Sequence, residues 1–206
     1  MFHHFARFAR MNGIWQTLRA LTGHRMRRFV LLCTLLTAAG IGPTLAGNIV
    51  LPWIAQKTAS ECGRAVLATL AARSGGDIER LYSRLPTPPD QVRGYSVLEM
   101  QQFGRRVGVD LSVVAPRGLV IAGDCSPRPA VKAHFARLTR FLSSGHPVVV
   151  PVTIGAGRGH YLVLTGTDRG DFWALDPALF PGLRLIEPSE LAARMCEYGY
   201  VALVAR

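Results

Sequence analysis

Three β-type runs follow one another with only turn chemistry between them: PVVVPVTI at 147–154, HYLVLTGT at 160–167 and DFWALDP at 171–177. The joints are Gly155-Ala-Gly-Arg-Gly159 and Asp168-Arg169-Gly170, too short for a helical crossover. Strands joined this closely pair antiparallel, because a parallel connection needs a dozen or more residues. The segments before this block have another period. GRAVLATLAARSGG, from Gly63, is helical and stops at Gly75-Gly76. Leu81 to Pro89 reads as a polar, proline-rich connection. Ser96-Val-Leu-Glu99 is a capping box opening a helix to about Val107, with Gly108 as its stop. VDLSVVA at 109–115 alternates like a strand, and 116–130 is a Pro- and Gly-containing loop. Val131–Ser143 is an amphipathic helix with Phe135, Leu138, Phe141 and Leu142 inward, closed at Gly145. Ser189 is expected to cap a short helix, ELAARM, and YGYVALVA to end the chain as a strand. Helices first and an antiparallel sheet after them predict an α+β fold rather than alternating βαβ units.

The formal charge of +11 suggests a nucleic-acid partner until it is divided along the chain. Residues 1–28 carry six Arg and no acid, while residues 61–206 hold 17 basic residues against 13 acids. The part that folds is only mildly basic, and no helix-turn-helix, zinc-finger or RNP-type motif accompanies it, so no nucleic-acid partner is expected. From Phe29 to Ala55 there is no charged residue. The apolar run at 29–42 behind Arg25, Arg27 and Arg28 fits a signal-peptide h-region or a membrane anchor. The basic flank places the remainder of the chain outside the cytoplasm. Thr44-Leu45-Ala46 is a small-residue cleavage site, and Met26-Arg27-Arg28 would serve as a later start. Three segments are therefore expected: a basic N-terminal stretch at 1–28, the h-region or anchor at 29–49, and a folded domain at 50–206. An exported domain is expected in the periplasm or anchored to the inner membrane, in contact with export machinery. There Cys125 and Cys196 could pair and leave Cys62 free, or both could be plain buried thiols.

Cys62 carries the chemistry. It stands in Gln56-Lys-Thr-Ala-Ser-Glu-Cys62-Gly63, at the start of a helix. The positive end of the helix dipole and its free N–H groups favour a thiolate there. The Cys62 N–H and the Gln56 side-chain amide would supply two oxyanion donors. His160, at the start of a β-run, is the expected general base. Asp176, at the end of the next run, is placed beside it if the two runs form a hairpin about 168–170. Gly159 and Tyr161, which flank His160, are the candidate substrate-binding residues. The histidines and cysteines lack metal-ligand spacing, so neither a metal nor another cofactor is expected.

Gln-x5-Cys-Gly ahead of an Ala/Leu helix, SSGHPVVVPV, GHYLVLTG and LDP together resemble the bacteriocin-processing, papain-like cysteine peptidases. These are the double-glycine leader peptidases and their stand-alone relatives. The resemblance spans about residues 52–206. It implies a papain-like fold, Cys62 as nucleophile, His160 as base, Asp176 as its orienting residue and Gln56 in the oxyanion hole. It also implies a peptide or protein substrate, cut often after Gly-Gly. The best-known members are fused to an exporter's membrane and ATPase domains; this sequence has no P-loop, and residues 116–140 depart from the family's pattern. An exported peptide or envelope protein is therefore the expected substrate. Two other uses of the same fold remain open: an idle peptide-binding module, and acyl transfer through the same triad.

Overall fold

The computed structural model describes residues 48–88, 94–117, 125, 129–155 and 157–206 of the chain. The expected segments 1–28 and 29–49 lie outside the described residues apart from Asn48 and Ile49. Among the described residues no helix is long and apolar enough to cross a membrane.

The elements run α1 (Cys62–Ala72), α2 (Ile78–Arg84), α3 (Val97–Arg106), β1 (Leu111–Val114), α4 (Pro129–Ser143), β2 (Val148–Ile154), β3 (Arg158–Asp168), β4 (Asp171–Leu175), β5 (Leu183–Ile186), α5 (Pro188–Met195), a 3-10 turn (Cys196–Tyr198) and β6 (Ala202–Ala205). The strands make one sheet in the order β1-β6-β2-β3-β4-β5, with every pair antiparallel. The fold is α+β, as the change of period predicts.

Alternation along β2 divides the interior. Val149 belongs to a cluster with Ala65, Val66, Leu67 and Leu70 of α1, Met100 of α3, and Tyr161, Val163 and Leu175 of the sheet. Val148, Val150 and Val152 belong to a second cluster with Phe135, Leu138 and Leu142 of α4, Leu191 and Met195 of α5, and Leu162, Leu164 and Phe172. Successive side chains of a strand point to opposite faces, so a wholly buried run such as VVVPV requires cover on both. The helices therefore sandwich the sheet. Each fully buried Leu or Val contributes roughly 1.5–3 kcal/mol, and truncating Leu67 or Leu162 to Ala would cost about 2–5 kcal/mol.

Several local expectations hold. Ser96 Oγ accepts from Glu99 N while the Glu99 carboxylate accepts from Ser96 N, a complete capping box. Arg169 and Gly170 both have positive φ, as a tight two-residue hairpin between β3 and β4 demands. Of the two open readings of Cys125 and Cys196, the structure has the pair: a disulfide with Cα atoms 5.2 Å apart, inside the normal range.

Others are corrected. Residues 81–84 are not connection but the end of α2, which starts where the Asp77 carboxylate accepts from Arg80 N. Ser189 does not cap α5; the N-cap is Glu187 with Pro188 at N1. β5 (LRLI), absent from the sequence reading, is the edge strand beside β4. The final strand is shorter than YGYVALVA, because 196–198 turn as a 3-10 helix and Gly199 and Tyr200 both take positive φ.

Candidate active site

Cys62 is the first residue of α1. The first N–H groups of a helix lack intrahelical partners, so the thiol sits at a cluster of free donors and the positive dipole end. The adjacent Gly63 sets how closely the turn is covered: a β-carbon there would lie 2.9 Å from Met100 Sδ and 3.0 Å from the Tyr95 ring. Glycine lets α3 and the chain leading into it close over the first turn. Cys62 is 4% exposed and is the free cysteine of the described residues.

His160 lies on β3, opposite Val152 of β2. Its Nε2–H donates to Asp176 Oδ1 at 2.8 Å, and both residues are buried. The hairpin register pairs Val163 with Leu175. Asp176 therefore follows the end of β4 and meets His160 diagonally. With Nε2 committed to Asp176, Nδ1 is the nitrogen left to serve the Cys62 thiol, which acts on the same ring. Burial alone would depress the imidazole. The hydrogen bond to Asp176, the neighbouring Cys62 thiol and the charges of both outweigh it and raise the pKa to about 9. The Asp176 carboxyl is raised by burial but held below its usual range overall, by His160, the Ala178 N–H and Arg184.

Asp176 is itself braced. Ala178 N donates to its Oδ1 at 2.9 Å, and Arg184 of β5 stands 3.5 Å from its Oδ2. Trp53 Nε1 donates to the Asp176 carbonyl at 3.0 Å, and Gln56 N donates to the Pro177 carbonyl at 3.0 Å. The extended segment 53–56 thus runs along the Asp176 corner. Gln56 is brought to that corner through its main chain, and its Oε1 is buried with no hydrogen-bond partner. The side-chain amide is not tied down by a bond through its oxygen.

Gly159 is exposed at the start of the site strand. A β-carbon on it would lie 2.5 Å from the Tyr198 hydroxyl, so the phenol stands directly over the glycine. Burial, then Glu197 and Cys62, raise the Tyr198 pKa. Its turn is held by the Cys125–Cys196 disulfide and by Thr153 Oγ1 donating to Glu197 Oε2 at 2.7 Å. Tyr161 faces inward instead: it is buried in the first cluster, and its hydroxyl donates to the Tyr95 carbonyl at 3.1 Å. Trp53, Arg184 and Tyr198 are neighbours of the site that the sequence did not suggest. None has a local motif, and each arrives through a tertiary contact with residues far along the chain. Among the described residues no group of three or more His, Cys, Asp and Glu could hold a metal ion.

No protein-family model matches the chain. No curated protein matches it in sequence either. Solved structures do match. The peptidase domain of Streptococcus ComA, a bi-functional ABC transporter involved in quorum sensing, is 18% identical with a TM-score of 0.54, over 76% of this chain and 97% of that domain. A double glycine motif protease from an AMS/PCAT transporter, solved in complex with a leader peptide, is 20% identical with a TM-score of 0.54, over 80% of this chain and 97% of the other. A C39-like peptidase from Bacillus anthracis is 14% identical with a TM-score of 0.55, over 78% and 96%. At such identities what is shared is the fold. The helices packed on a six-stranded antiparallel sheet share the α+β fold of these peptidase domains.

Proposed function

We propose that the chain is a cysteine peptidase, with Cys62 as nucleophile, His160 as general base and acid, and Asp176 as the residue that orients the imidazole. The observation that supports this reading is one buried ring: His160 donates to Asp176 through Nε2, and its charged form is favoured by both Asp176 and the Cys62 thiol at the head of α1. An imidazole kept cationic to about pH 9 beside a thiol at a helix N-terminus favours a thiolate–imidazolium pair. The thiolate attacks the carbonyl carbon of the scissile peptide. The oxyanion is received by the Cys62 N–H and the Gln56 amide. The imidazolium gives its proton to the departing amine, leaving a thioester on Cys62. Water, deprotonated by His160, attacks the thioester and releases the carboxylate.

Gly159, beneath Tyr198, is the substrate-binding residue of this reading. The substrate is a peptide or protein outside the cytoplasm, cut after small residues such as Gly-Gly. Residues 29–49 act as the export signal or inner-membrane anchor, residues 1–28 as its basic flank, and 50–206 as the peptidase domain, in or facing the periplasm. The Cys125–Cys196 disulfide supports an oxidising compartment. A peptide series with Gly-Gly, Ala-Ala or Leu-Leu before the scissile bond tests both activity and specificity. Cleavage by the wild type, lost in Cys62→Ala with an unchanged circular dichroism spectrum, is expected. Retained hydrolysis in that variant would remove the assignment.

The burial of Cys62, 4% exposed, favours a second reading: a peptide-binding module of the same fold whose thiol is inert. Tight peptide binding with no thiol reactivity would establish it. If an added amine, in place of water, captures the thioester, the same triad is an acyl transferase, and product masses distinguish the two.

A further inference from the structure

Glu61 immediately precedes the nucleophile and is the N-cap of α1, yet its side chain makes no capping bond. A side-chain oxygen at this position can accept from the free N–H groups of the first turn. Here the carboxylate is buried, 4% exposed, and turned elsewhere. Its Oε1 accepts from Arg64 Nη1 at 2.7 Å, and its Oε2 accepts from the Tyr82 hydroxyl of α2 at 3.2 Å. Arg64 also donates through Nε and Nη2 to the Tyr82 carbonyl, at 3.1 and 2.8 Å, and its guanidinium lies 4.4 Å from the centre of the Tyr82 ring. Burial and the Glu61 charge raise Tyr82 to about 12, so it stays a donor at any working pH.

We propose that Glu61, Arg64 and Tyr82 form a positioning network that cancels the negative charge beside Cys62 and leaves the free N–H groups of α1 to the thiolate and the developing oxyanion. A bare buried carboxylate one residue from a thiolate would oppose it through a medium of low dielectric. Arg64 supplies the opposite charge from the same turn. Around the network stand His160 from β3, with Asp176 behind it, Tyr198 from the 3-10 turn, Tyr95 over the first turn of α1, and Lys57, which lies 4.7 Å over the Tyr82 ring and pairs with Glu79. Of the cations among these groups, Arg64 is the one paired with Glu61. The proposal rests on Cys62 being the nucleophile.

A charge cycle on the full chain tests it. Alkylation of Cys62 by iodoacetamide is followed against pH by peptide mass mapping in the wild type, Arg64→Gln, Glu61→Gln and the double variant. Arg64→Gln raises the midpoint by about one pH unit, and Glu61→Gln lowers it. The double variant returns to within about 0.3 unit of the wild type, although it still lacks the Arg64 bonds to Tyr82. Tyr82→Phe, which removes a single donor and keeps the ring, raises the midpoint by less than Arg64→Gln does. A network that only supports the fold would give single shifts of the same sign, or a double variant no closer to the wild type than Arg64→Gln; either overturns the proposal. A wild-type thiol whose reactivity ignores His160 would instead remove the nucleophile assignment. A His160-dependent thiol with a flat cycle would remove the network's role alone.

Discussion

His160 and His134 are equally buried, each 3% exposed, and their protons are held in opposite ways. His160 faces a carboxylate and a thiol, which overcome burial and raise it to about 9. His134 lies on α4, against the second cluster. Burial, joined by the Arg137 charge, lowers it to about 4 against a contribution from the Tyr200 main chain. Burial is common to both rings. What differs is the company: an anionic partner beside His160, a cation beside His134. The site is therefore not merely a buried polar pair but one in which Asp176 and Cys62 both favour the ring's charged form against its burial.

The largest effect expected is at the site. Cys62→Ala and His160→Ala should each lower kcat/KM by at least about 10^4-fold while leaving the fold intact, read with a cleavable peptide. Asp176→Asn keeps the shape but withdraws the charge. It should cost about 10^2-fold or more and move the alkaline limb of the pH–rate profile down, because His160 loses a cause of its raised pKa.

Stability predictions sharpen the contrast. His160 binds its proton more tightly folded than unfolded. Its contribution is complete below about pH 6.5 and disappears as pH rises to about 9. His134 is depressed, so its contribution is present above about pH 6.5 and is lost as pH falls to about 4. Urea unfolding at a series of pH values should show both windows. His134→Leu should flatten the acid window, change neutral stability by less than about 1.5 kcal/mol, and leave kcat/KM unaltered. Removing the disulfide by Cys125→Ser with Cys196→Ser releases a link across 71 residues, worth about 4 kcal/mol on chain-entropy grounds. It should also loosen Tyr198 over Gly159, raising KM more than it lowers kcat. The smallest effect is at the rim: Lys57 and Glu79 lie 3.4 Å apart but are well exposed, so Lys57→Ala should cost less than about 0.5 kcal/mol.

Much of this arrangement was legible in the residues. The hairpin block declared itself through period two and tight turns, and the capping box at Ser96–Glu99 fixed the start of α3. The same hairpin brought His160 and Asp176 together, because two runs joined by two residues leave few registers. What escaped has physical reasons. α2 is only seven residues long and sits in a proline-bearing stretch, so its Asp77 cap was the sole signal. β5 is a four-residue edge strand with exposed leucines at 183 and 185, half the pattern of a buried strand. Glu187 displaced Ser189 as cap because Pro188 fits the first helical turn. Tyr198, Arg184 and Trp53 touch the site only through contacts that no local pattern encodes. The pairing of Cys125 with Cys196 was one of two readings that sequence alone could not separate.

The most direct test of the central claim is the pH dependence of Cys62 alkylation in the full chain, resolved by peptide mass mapping, for the wild type and for His160→Ala. A reactive thiolate well below the ordinary thiol midpoint of about 8.5, lost when the imidazole is removed, is the expected result. A thiol that titrates identically with and without His160, or never reacts, would contradict it and leave a peptide-binding module in its place.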